Sequence, residues 1–289
     1  MSLASPPALP VARTVADLRW QVFAWRAEGL KVGLVPTMGA LHEGHLSLVR
    51  LALQSADRVV VSLFVNPAQF APHEDFASYP RGEDQDAALL AEAGCHLLYA
   101  PDASEIYPPG FATTVTVSGV SAPLEGERRP QFFGGVATVV AKLLIQSSPD
   151  VAVFGEKDYQ QLQVIRRMVR DLDLPVEIIG APTRRADDGL ALSSRNAYLS
   201  AEQRVTAGRL NVIMAEMART LAAGGAVNTA EAGAMDALAA AGFNSIDYIE
   251  VRHAETLAAL GPGPIGEAPA RVLAAAWLGK TRLIDNVAV

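Results

Sequence analysis

The run Lys31 to Arg50 limits the possible folds more than any other stretch. Val32 to Val35 is a short apolar run of the kind a buried strand gives. Pro36 cannot donate to a ladder, so strand pairing is expected to stop there. Gly39 lacks a Cβ and lets a ligand approach the backbone closely. From about Ala40 the apolar residues Leu41, Leu48, Val49, Ala52 and Leu53 are spaced as one helix face. The unit reads as strand, glycine turn, helix, and the helix N-terminus offers N–H groups and a positive dipole end to a phosphate.

A second apolar run, Asp57 to Val65, breaks at Asn66-Pro67. Two strands bracketing one helix make a βαβ unit, which predicts a parallel, Rossmann-like α/β sheet with right-handed crossover. Ligands in such sheets bind beyond the carboxyl ends of the strands. His42 and His45 lie there, three residues apart on one helix face. An imidazole near a helix N-terminus tends toward a pKa below about 6.5 and so remains a neutral donor at pH 7. Two such donors stabilise charge that builds up as pyrophosphate leaves. Helix capping and a metal pair are the competing roles. No third ligand follows at a helical interval, and His42-Glu-Gly-His45 is one residue short of the zinc-protease spacing. With Gly44 keeping the face bare between the rings, the pattern favours nucleotide phosphate.

At these residues a resemblance enters. His42-Glu-Gly-His45 resembles the HxGH signature of the nucleotidylyltransferase superfamily, relatives of class I aminoacyl-tRNA synthetases. The longer string Pro36-Thr-Met-Gly-Ala-Leu-His-Glu-Gly-His45 resembles the pantothenate synthetase (pantoate–β-alanine ligase) family, and further blocks match in the same chain order. The resemblance implies ATP-dependent condensation of (R)-pantoate with β-alanine through a pantoyl adenylate, Mg2+ accompanying ATP, and a homodimer. It also implies that Pro36, Thr37, Met38, Gly39, Ala40, Leu41, Glu43 and Gly44 contact ATP with the two histidines.

The loop Asn66-Pro-Ala-Gln-Phe70 follows the second strand, and its paired amides suit a hydroxy acid. The resemblance makes Gln69 a pantoate and β-alanine ligand with Asn66 beside it. Pro72 to Arg81, containing Asp75, Tyr79 and Pro80, has the length of a loop that serves a site. Gly82 to Ala93 reads as a helix whose Asp84 and Asp86 complement its dipole, and the resemblance hints at Asp86 near magnesium. Cys95 to Ala100 reads as a third strand, and Thr113 to Val117 alternates as an edge strand. Leu124 to Val136 is a Gly- and Pro-interrupted basic loop suited to folding over an anion, with Arg129 assigned to the acid and amine. The family pattern Arg-Pro-Gly-His-Phe is here Arg129-Pro-Gln-Phe-Phe133, so Gln131 and Phe132 depart from it. An apolar helix follows over Ala137 to Ile145.

Val151 to Phe154 is another buried strand, leading into Gly155-Glu-Lys-Asp-Tyr-Gln-Gln161. Lys157 brings a point charge to phosphate. Asp158 caps the helix Tyr159 to Asp171 or takes a ribose hydroxyl. The resemblance puts Gly155, Glu156, Lys157 and Asp158 on ATP and Gln161 on pantoate. After the strand Val176 to Ile179 comes a hinge loop, with the domain boundary near Thr183. Residues 1–183 are then the nucleotide- and pantoate-binding domain and 184–289 a smaller α+β lid. Ser193, Ser194 and Arg195 suit triphosphate oxygens and resemble the family's Ser-Ser-Arg-Asn block, which adds Arg184 and Leu192 as ATP contacts. The lid reads as helix from Ala201 to Ala241, broken at Gly224-Gly225, then strands at Ser245 to Val251, Arg271 to Trp277 and Thr281 to Asn286, with few clustered polar groups.

At 289 residues two domains are expected. A net charge of −7 argues against a nucleic-acid surface. A single cysteine, Cys95, excludes an intrachain disulfide and fits a reducing compartment. No apolar run reaches membrane-spanning length and the N-terminus lacks a signal-peptide pattern, so the chain reads as cytoplasmic. Two rivals remain. A nucleotidylyltransferase acting on a phosphate ester is disfavoured by two Gln where Lys or Arg belong. A nucleotide sensor with a dead site is disfavoured by the intact His pair, Lys157 and Ser-Ser-Arg.

Overall fold

The computed structural model describes residues 9–71, 76–77 and 79–289. Asp75 and part of the loop 72–81 lie outside the described residues. After the two-residue strand β1 (Val11–Ala12), Thr14 closes a capping box with Asp17 and starts α1 (Val15–Ala27). Leu18, Val22 and Trp25 form its buried face, and Phe23 stays exposed. The alternation continues through β2 (Val32–Thr37), α2 (Glu43–Ser55), β3 (Arg58–Leu63), α3 (Glu83–Glu92) and β4 (Leu97–Tyr99). Two helical turns, α4 (Ala103–Ile106) and α5 (Glu125–Arg128), precede α6 (Phe132–Ser147). Then come β5 (Val151–Gly155), α7 (Tyr159–Asp171) and β6 (Glu177–Ala181).

Among the described residues these six strands make one parallel sheet in the order β1-β4-β3-β2-β5-β6. The β2–β5 pair is where the strand order reverses. Their carboxyl ends lie side by side at that reversal, where open α/β sheets hold their ligands. Val35, Val49, Val61, Leu98 and Val153 join helix to sheet in one core, as strands covered on both faces require.

The second sheet is antiparallel, β7 (Ser245–His253), β8 (Ala270–Leu278) and β9 (Thr281–Ala288) in that order. It packs with α8 (Ala201–Ala222) and α9 (Val227–Ala241) around Leu210, Met214, Leu221, Leu238, Val272 and Ala276. This is the expected α/β class with a smaller α+β part. Two compact units result. The first takes in Met1–Ser118, Arg129–Glu156 and Val164–Pro182; the second, Gly119–Arg128, Lys157–Gln163 and Thr183–Val289. A single linear cut near Thr183 does not describe them, because two short earlier segments pack with the later chain. Among the described residues no helix is long and apolar enough to cross a membrane.

Four expectations need correction. Strand β2 runs through Pro36 to Thr37, because it pairs with β3 over its whole length but with β5 only at Gly33 and Leu34. The missing N–H falls where one neighbour remains. Helix α2 begins at Glu43, not near Ala40, because Gly39 and Ala40 are both left-handed (φ 85° and 51°) and turn the chain first. No strand forms over Thr113 to Val117; Val115 N–H donates to the Thr138 hydroxyl at 2.9 Å rather than to a ladder. The stretch read as basic loop is helical at 125–128 and again from Phe132.

Candidate active site

At the end of β2, Gly39 and Ala40 swing the chain outward and Asp86 holds the turn. Its carboxylate, 3% exposed, accepts from Ala40 N–H at 2.9 Å and Leu41 N–H at 2.8 Å. A Cβ on Gly39 would come to 3.1 Å of the same carboxylate. The chain then enters α2 with His42 as N-cap. Gly44 N–H donates to His42 Nδ1 at 3.1 Å, and His42 N–H donates to His45 Nδ1 at 3.3 Å. Each ring therefore accepts at Nδ1, which puts its proton on Nε2. The ring centroids are 4.2 Å apart. Capping and donation are thus one arrangement: the cap fixes the tautomer whose N–H donor is the outer nitrogen.

The turn 67–69 after β3 meets this loop. Gln69 Nε2 donates to Met38 Sδ at 3.1 Å and Asn66 Nδ2 to Gln69 Oε1 at 3.0 Å. Asn66, 1% exposed, also donates to Gly135 O and accepts from Ala68 N–H and from the Tyr107 hydroxyl at 2.8 Å. Burial lifts Tyr107 to about 12, so it remains a donor. Arg129 donates to Gln69 O at 3.4 Å, and its guanidinium stacks 3.8 Å over Phe132. Met38, Asn66, Gln69 and Arg129, distant in sequence, are therefore one cluster in the first unit. Phe132, where the family pattern has histidine, cradles the arginine by cation–π contact.

Gly155 ends β5 beside β2, Glu156 opens a 3-10 turn, and the chain passes into Lys157 and Asp158 of the second unit. There the Lys157 ammonium stands 3.7 Å from Asp158, and Gln161 is half-buried in the first turns of α7. Asp158 lies in a 3-10 turn before α7. Residues 184–192 form a hairpin: Leu192 N–H donates to Arg184 O at 2.9 Å, and Arg185 bridges Ala191. Ser193 caps the following turn by accepting from Arg195 N–H at 3.3 Å. Arg184, Leu192, Ser193, Ser194 and Arg195 thus share one short structure in this unit.

A family model described as pantoate-beta-alanine ligase matches residues 10–288. The chain belongs to the pantoate–β-alanine ligase family. It is 68% identical to the pantothenate synthetase of Caulobacter vibrioides over 96% of this chain and 98% of that one. The crystal structure of pantothenate synthetase from Thermus thermophilus superposes with a TM-score of 0.89 at 48% identity, covering 96% of this chain and 99% of that chain. The pantoate–β-alanine ligase of Francisella tularensis, complexed with β-γ ATP and β-alanine, is 32% identical with a TM-score of 0.79 over 97% and 98%.

In this pantoate–β-alanine ligase chain Asp86, which the resemblance hints lies near magnesium, is 3% exposed and takes one backbone N–H on each oxygen, and these bonds hold the 39–41 turn. Among the described residues no group of three His, Cys, Asp or Glu gathers to hold a metal. Sequence reasoning gave no role to Tyr107 and read Gly135 only as part of a loop. A half-buried tyrosine before two prolines carries no periodic signal. For Gly135 the only sequence sign is a glycine pair opening an apolar helix.

Proposed function

We propose that this family member joins (R)-pantoate to β-alanine with ATP through pantoyl adenylate. A pantoate carboxylate oxygen attacks the α-phosphorus, the bond to the bridging oxygen breaks, and pyrophosphate leaves. The β-alanine amine then attacks the acyl carbon, the carbon–oxygen bond to AMP breaks, and the amine proton passes to solvent. His42 and His45 donate from Nε2 to the departing pyrophosphate. Lys157, Ser193, Ser194 and Arg195 hold phosphate oxygens, with the 36–45 and 155–158 loops and Arg184 and Leu192 around the nucleotide. Gln69, Gln161, Asn66 and Arg129 orient the acid and the amine. Magnesium enters with the ATP, and no step is assigned to a protein-held metal. Positioning of two held reactants contributes on the order of 7–11 kcal/mol. Cytoplasmic residence and a homodimer belong to the same reading.

The observation that supports it most is the histidine pair whose Nδ1 atoms are both engaged by the α2 cap at the strand-order reversal. Oxygen-18 in the pantoate carboxylate should appear in AMP. Label confined to pyrophosphate or water would refute the adenylate route.

A further inference from the structure

The smaller unit, expected to hold few clustered polar groups, has two adjacent buried polar residues on β9. Asp285 is 4% and Asn286 3% exposed. Neighbours on a strand face opposite ways, so the two reach different segments. Asp285 accepts two hydrogen bonds from Arg185, at 2.6 and 2.9 Å. Arg185 also donates to Gly189 O at 3.2 Å and bridges Ala191. That fixes the base of the hairpin running directly into Ser193, Ser194 and Arg195. Asn286 Nδ2 donates to Lys157 O at 2.9 Å, while its Oδ1 accepts from Arg271 Nε at 2.6 Å. The Arg271 guanidinium lies 3.8 Å over the ring of Tyr159, two residues beyond Lys157. Asn286 N–H donates to Asp285 Oδ1 at 2.7 Å and ties the two anchors together.

We propose that Asp285 and Asn286 are positioning residues that set the Lys157 segment and the 184–195 hairpin from one strand, for the phosphate contacts assigned to both. The inference rests on the ATP reading of Lys157 and Ser194 above. Packing alone does not call for these side chains, because a buried ion pair holds a fold no better than apolar residues of the same volume. What the polar pair adds is direction. The side chain at 286 must donate to a carbonyl and accept from a guanidinium at once, which an amide does and an ionised carboxylate cannot.

The test is Asn286→Asp, which keeps the volume and the Arg271 contact but presents an acceptor to the Lys157 carbonyl. Adenylation at saturating pantoate should fall by up to about 10²-fold, the loss a misplacement of about 1 Å can cause, with KM for β-alanine unchanged. On a Lys157→Ala background the same change should add less than about twofold, because residues acting as one unit are not additive. Asp285→Asn on a Ser194→Ala background is the parallel cycle. Rates are read below each variant's thermal midpoint. Equal losses in both backgrounds, unchanged adenylation, or loss of cooperative melting in both single variants would overturn the proposal. A silent Lys157→Ala would overturn the ATP reading itself, and is a separate result.

Discussion

His42 and His45 stabilise the start of α2 through Nδ1, so replacing either removes a cap as well as a donor. His45→Ala should lower single-turnover adenylation by about 10²–10³-fold with calorimetric ATP affinity much less affected. Collapsed binding with normal chemistry at saturating ATP would contradict that role. Asp86→Asn tests the turn: its amide nitrogen must face one of two N–H groups where a carboxylate now accepts from both. A drop in adenylation rate with unchanged KM for β-alanine is expected; a drop in thermal stability alone would make the residue structural. His96 gives the pH dependence. Its Nδ1 accepts from Val59 N–H at 3.1 Å, and burial, then Arg58, lowers its pKa. The unfolded chain therefore takes the proton first, and stability declines as pH falls below about 6.5. His96→Gln should flatten the thermal midpoint between pH 7 and 5; parallel curves for the two proteins would exclude the site as the cause.

Elements meet at Gly135 on α6. A Cβ there would lie 2.3 Å from Ala68 O and 2.7 Å from Gln69 N, so the helix and the 67–69 turn touch backbone to backbone. Alanine ordinarily gains up to about 1 kcal/mol over glycine inside a helix, but overpacking costs about 1–3 kcal/mol. Gly135→Ala should therefore lower the denaturation free energy and raise KM for pantoate, since Gln69 moves with the turn. A stabilised variant with unchanged KM would show that the contact relaxes freely. The periodic elements, β2, α2, β3, β5 and α7, are legible in the sequence because their apolar spacing reports burial directly. Thr113 to Val117 alternates just as well, yet its backbone bonds to the Thr138 side chain. Alternation states which side chains are buried and says nothing of what the N–H groups find.

At the scale of the molecule, the homodimer implied by resemblance should sediment at about twice the 30.5 kDa of the chain. A 30.5 kDa species throughout the micromolar range would reject it. The sequence by itself determined the βαβ start, the parallel sheet, the family and the histidine pair, because each is written in residues close along the chain. Tertiary structure alone decided which distant residues meet. Asp86 turned from dipole partner into the clamp of Ala40 and Leu41, 46 and 45 residues away. Asn286 reaches back 129 residues to Lys157. Such bonds have no period and no local propensity. They exist because a buried amide or carboxylate must find partners, and which partners come within about 3 Å is settled only when the sheets have formed.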